Sequence, residues 1–249
     1  MIEFAEPTPT EYEHAIVGLL KLWDSWHEEA WEADAGRHAG NVALISAYTN
    51  HVANLSRAVL LLHRSEMDFE AVSLVRTSIE CVATSCWLYV FPEKTSQLVV
   101  ASSAELLDVI RSFERAGVTG DQTIAKQHDQ LLANLGKPND LEAQKLWRRF
   151  IAIEGGSQLY SIYRALCSLD HATNTLADQY TEEQGDESPL LLTKAKKDVA
   201  VDSVIGIQAV ILLRAQLAAD LTLKMRRHRG QLEEWADNLG VKSTIEAVR

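Results

Sequence analysis

Apolar residues recur along this chain at steps of three and four, and no stretch alternates apolar with polar over the length of a strand. The pattern predicts helices and no sheet. A first helix covers about 10–32, with Thr10 as N-cap and Glu13 completing a capping box. Gly36 and Gly40 break it, and a second helix follows over about 41–65. A third starts near Asp68, a good N-cap, and runs to Phe91, where Pro92 stops it. A fourth covers about 93–116 and ends at Gly117. Shorter helices fill 118–156, one from Asp121 to Gly136 and one from the Lys137-Pro138-Asn139-Asp140 turn to Gly155-Gly156. Ser157 caps a long helix to about Glu183, and 184–189 is a plain loop. Another long helix spans about 193–229. Its basic last turn, Lys224, Arg226, Arg227 and Arg229, complements the helix dipole. A final helix covers about 231–247.

These elements predict an all-α protein, one domain built as a bundle of long antiparallel helices. An acidic helix occupies 1–35, the core comprises 40–117 and 157–229, and 118–156 is peripheral. No internal repeat points to a solenoid. The most apolar stretches, 71–91 and 199–213, read as buried core helices. The first holds Arg76 and Glu80, and the second is too short to span a bilayer. The N-terminus lacks an apolar signal region, so the expected location is the cytoplasm, with no membrane partner.

Charge refines this picture. The 249 residues carry a net charge of −11, which lowers the expectation of a broad nucleic-acid footprint. The excess is uneven: residues 1–40 hold nine acids against Lys21 and Arg37, which is −7 of the −11. The remainder is nearly balanced and leaves room for a small anion-binding cleft. Cys81, Cys86 and Cys167 lie in apolar helical stretches and read as small buried hydrophobes. Cys81 and Cys86 sit about 140° apart round a helix, so they share no metal face. Glu11-x-x-His14 has di-iron spacing, but no second such pair exists, and nothing else calls for a metal or cofactor.

Two places interrupt apolar helices with chemistry. Arg76 and Glu80 are the only charges between Ala71 and Phe91, and their spacing of four lets them pair. Such a pair either orders the bundle internally or presents Arg76 to an anionic ligand. The second place is the stripe Tyr160, Tyr163, Arg164, Cys167, His171 and Asn174, which steps of three and four put along one face. Arg164 and His171 then point the same way about 10 Å apart, while Asp170 lies roughly 100° off that face. Histidine can move a proton near neutral pH, and arginine offers a fork to phosphate. Together they suit metal-independent RNA cleavage by attack of the 2′-hydroxyl on its phosphate. His51, beside Asn50 and Asn54, either joins this site or simply caps a polar patch. His27, His38, His63, His128 and His228 read as solvated, and Asp202 and Gln208 as internal hydrogen-bonders.

Arg164-x6-His171 on a late helix resembles the Arg-x(4–6)-His motif of HEPN-domain proteins, with Ala165 where that family often has a polar residue. Those are dimeric helical bundles, many of them ribonucleases of toxin and phage-defence systems. The resemblance implies Arg164 and His171 as a catalytic pair facing the same pair of a second subunit. A broader resemblance, over most of 40–225, is to an uncharacterised bacterial family with an Arg-Ser/Thr-x-x-Glu helix and a Tyr-x-x-Leu-Ser-x-x-x-His helix. Arg76-Thr77-Ser78-Ile79-Glu80 and Tyr163 to His171 fit that outline, with Cys167 in place of serine. It implies that Arg76, Glu80, Arg164 and His171 converge in the bundle centre. Two functions are therefore expected: a HEPN-like ribonuclease or inactive relative in bacterial stress or phage defence, binding RNA in a small cleft as a homodimer, or a non-catalytic helical module for a ligand or partner protein.

Overall fold

The computed structural model describes residues 7–26, 32–118, 122–171, 174–182, 190–196 and 203–248. The fold is mostly all-α, as the periodicity predicts. Its helices are α1 (Pro9–Ser25), α2 (Ala39–Arg64), α3 (Val72–Val90), α4 (Thr95–Arg115), α5 (Gln122–Leu135), α6 (Leu141–Gln144), α7 (Leu146–Ile151), α8 (Gly156–Asp170), α9 (Asn174–Asp178), α10 (Val204–Leu221) and α11 (Arg229–Asn238). His27, the expected helix start at Asp121, the loop 184–189 and Asp202 lie outside the described residues.

The centre is α10, which packs on α1, α2 and α3. Leu212, Leu213, Leu217 and Ala218 are fully buried there, against Ile16, Ile45, Val52 and Ile79 of its neighbours. Each large side chain so buried contributes about 1.5–3 kcal/mol. The apolar run continues to Leu221, beyond the expected 213, so this helix is long and apolar enough to cross a membrane by length and composition, yet 78% of it is buried within the protein. Its polar residues find neutral partners: Gln208 donates to Ser56 Oγ at 2.7 Å and Gln216 to the Leu19 carbonyl at 2.8 Å. Thr49 of α2 donates to the Ala215 carbonyl at 3.0 Å.

Several boundaries differ from expectation for local reasons. Thr8, not Thr10, caps α1, and Glu11, not Glu13, closes the capping box. Pro9 decides this, because proline suits the first helical position. Asp68 does not cap α3; its carboxylate accepts from His63 Nδ1 at 2.6 Å, and the helix starts at Val72. The expected helix over 193–229 is cut at Leu221. The chain there turns extended: Leu223 bridges Ala33, and the Lys224 N–H donates to the Glu32 carbonyl at 3.0 Å. Lys224 and Arg226 are therefore not dipole-complementing residues of a last turn. They pair with Glu32 at 2.8 Å and Asp34 at 3.1 Å. Arg57 and Arg64 of α2 pair likewise with Asp24 and Glu13, each at 2.5 Å, so four of the N-terminal acids are matched locally.

The final helix ends at Asn238, and 246–248 instead bond to 152–154. A two-residue hairpin, Thr181–Glu182 against Leu190–Leu191, corrects the expectation of no strand; it is too short to show an alternating pattern. The segment expected to be peripheral divides. The helix α5 packs on α4, whereas Ala143, Phe150 and Ile153 are buried in the core.

Candidate functional site

The polar residues of α3 meet those of α8. Ser73, Arg76, Glu80 and Thr84 follow one another at steps of three and four, so they line one side of α3. Tyr163, Cys167 and Asp170 do the same on α8. The Ser73 hydroxyl donates to Asp170. Arg76 Nε lies 3.2 Å from Asp170 Oδ2, an ion pair without hydrogen-bond alignment, and a terminal nitrogen reaches Cys167 Sγ at 3.9 Å. The Tyr163 hydroxyl donates to Glu80 Oε1 at 2.9 Å. Burial alone would lower the Arg76 guanidinium, but Cys167 and Asp170 outweigh it and raise it. Burial and the Glu80 hydrogen bond push the Tyr163 hydroxyl up, so it stays a donor.

Arg149 of α7 extends this clasp. It donates to Thr84 Oγ1 at 2.9 Å and to the Ala143 carbonyl at 2.8 Å. Burial lowers its guanidinium against the opposing pull of Tyr48, Glu105 and Glu80. Phe150 packs beneath, with ring centroids 5.4 Å from Tyr160 and 5.7 Å from Tyr163. Gly156 starts α8 under steric constraint: a Cβ there would lie 1.8 Å from the Phe150 carbonyl oxygen.

The expected Arg76–Glu80 pair does not form, because α8 supplies Asp170 to one and Tyr163 to the other. The expected single stripe is two faces. Tyr163, Cys167 and Asp170 turn inward, while Arg164 and His171 are exposed and do not converge in the bundle centre. His171 is no longer helical: it is the C-cap of α8 with extended backbone, φ −86 and ψ 148. It therefore does not repeat the orientation of Arg164 two turns earlier. Asn174 belongs to α9 and is exposed. Tyr160 is half-buried, and its hydroxyl raises the exposed Arg164 guanidinium. His51 is exposed on α2 and does not join the site, because the inward positions of that turn are Val52 and Ala53.

Sequence reasoning missed Asp170, Ser73 and Arg149. The signal for Asp170 was its spacing of seven from Tyr163, the inward residue, rather than its angle to His171. Three histidines read as solvated are half-buried; of these, His63 pairs with Asp68, and His228 stacks on Trp26 at 4.6 Å. His128 is the third. The cysteines follow expectation in part. Cys86 is fully buried, whereas Cys81 and Cys167 are half-buried. Burial pushes the Cys81 thiol up to about 11, which keeps it a poor nucleophile. Among the described residues no three His, Cys, Asp or Glu side chains gather as a metal site.

Fold and clasp together define a helical protein in which two motif-bearing helices lock side by side. The chain belongs to DUF5677, a family of unknown function whose profile matches residues 42–188. That span holds most of α2 and all of α3 to α9, and so every residue of the clasp. No curated protein and no solved structure matches the chain.

Proposed function

We propose that the outer face of α8 is a phosphate-handling surface, and that the chain is a HEPN-like, metal-independent ribonuclease acting as a homodimer in the cytoplasm, in bacterial stress or phage defence. The observation that carries this reading is the exposure of Arg164 and His171 while the clasp consumes the inward residues. His171 takes the proton of the ribose 2′-hydroxyl as that oxygen attacks the adjacent phosphorus. Arg164 holds the phosphate oxygens and the charge that builds on them. The P–O5′ bond breaks, the departing 5′-oxygen takes a proton, and a 2′,3′-cyclic phosphate remains. Asp170, fixed by Ser73 and Arg76, positions the residue that follows it. A second copy of the chain supplies a matching pair across the cleft.

The test compares cells expressing the wild type or His171→Ala, with total RNA run on a gel. The expected result is fragmented RNA with the wild type and intact RNA with the variant. Intact RNA in both at neutral pH overturns the proposal. That outcome favours the second reading, a non-catalytic module for a ligand or partner protein. Its support is that Arg76 pairs with Asp170 and Tyr163 with Glu80 inside the protein, as residues that set helix register do.

A further inference from the structure

A furrow runs between α8 and α10, and Val82 and Cys86 of α3 line one end of it. Two cavities form it, of about 420 and 470 Å³, and they share Leu159, Ile162, Val210 and Ile211 as a common wall. Each is of the size that small-molecule sites take, and both are lined mainly by apolar side chains. One end lies at Gly206, where Tyr12 closes the wall, and the other at Arg214. Along α10 those positions are about 12 Å apart.

Arg214 is the one charge of α10 between Val204 and Ala219. A charge on a core helix is costly unless paired. Its guanidinium meets neutral groups, the carbonyls of Lys242 at 3.1 Å and Thr244 at 2.7 Å and the Cys86 thiol, and it forms no ion pair among the described residues. Those two carbonyls fix its direction without cancelling its charge. Lys242 and Glu154 line the same end and pair at 2.6 Å. The polar end thus holds two cations and one carboxylate, a balance of one positive charge. Glu246 is exposed and does not line the cavity.

We propose that this furrow binds an amphipathic monocarboxylate, with its aliphatic chain along Leu159, Ile162, Val210 and Ile211 and its carboxylate at Arg214. The site is independent of the RNA-cleaving reading, since it uses neither Arg164 nor His171. The test is a titration of the whole protein with a fluorescent long-chain fatty acid, cis-parinaric acid, followed by displacement with dodecanoate or dodecanol. A saturable fluorescence rise is expected, with dodecanoate displacing at least about tenfold better than dodecanol, the ratio a charge-assisted hydrogen bond provides. Arg214→Gln should remove that preference. Because Arg214 also holds the C-terminal segment, Ile162→Glu serves as the second variant. It leaves Arg214 in place, puts a carboxylate in the shared wall, and should weaken both displacers. No saturable rise overturns the proposal. Equal displacement by acid and alcohol overturns it in favour of a neutral ligand, and a preference that survives Arg214→Gln overturns the assigned cation.

Discussion

The helices α10 and α8 are held in opposite ways. The first is buried on nearly every side, and its polar groups meet neutral oxygens from α1 and α2. The second buries only Gly156 and Leu166 fully and is fastened by a few charged and hydrogen-bonded side chains. Apolar burial tolerates the loss of any one polar contact, whereas a clasp of few members depends on each. The central helix therefore sets global stability, and α8 is the element that can shift locally while the rest stays folded.

The sharpest way to break this comparison is a cavity in α10. Leu212→Ala should cost about 3 kcal/mol in denaturant unfolding, with α8 and α3 lost in the same transition. An unfolding curve that leaves the central helices intact would contradict the assignment. The next effect is smaller and local. Asp170→Ala leaves Arg76 half-buried without its carboxylate and should cost about 1–2 kcal/mol. Hydrogen exchange should quicken across the end of α8 and stay unchanged in α10. Uniform quickening would mean that the two helices are not separable.

The smallest effect concerns the one carboxylate of α10. Asp220 is fully buried, and only one of its oxygens has a partner, the His228 N–H at 3.4 Å. Burial raises it above its ordinary 3.8, against the weaker opposing effects of His228 and the nearby arginines. A carboxyl raised on folding destabilises once ionised. That cost is complete above the folded value and fades as pH falls through it toward 3.8. Asp220→Asn should therefore unfold at higher denaturant than the wild type at pH 7, with the gap closing on acidification. A variant weaker at pH 7 would show that the ionised form is held by more than the His228 N–H.

The helical fold was legible because the three-and-four spacing of apolar residues reports burial directly. Boundaries were not, where the chain offered two equal solutions. Thr8-x-x-Glu11 and Thr10-x-x-Glu13 both read as capping boxes, and only Pro9 separates them. Arg76, Glu80 and Tyr163 stood out as polar groups in apolar helices, and the structure brings them together. Their pairing was hidden, since a spacing of four permits an Arg76–Glu80 contact but says nothing of what α8 offers instead. The error at His171 came from extending α8 past its end. One non-helical residue at the C-cap was enough to change which way it faces. Arg149 left no trace in the sequence because its partners, Thr84 and the Ala143 carbonyl, are set by tertiary packing.

The position of α10 also bears on how the molecule is made. The central helix lies at 204–221, after every element it organises except α11. During synthesis α1, α2 and α3 leave the ribosome with their inner faces exposed, including Ile16, Ile45 and Ile79. At ordinary translation rates of about 5–20 residues per second, those faces wait several seconds for their partner. Pairings such as Thr49 with Ala215 then close loops of more than a hundred residues, which slows folding.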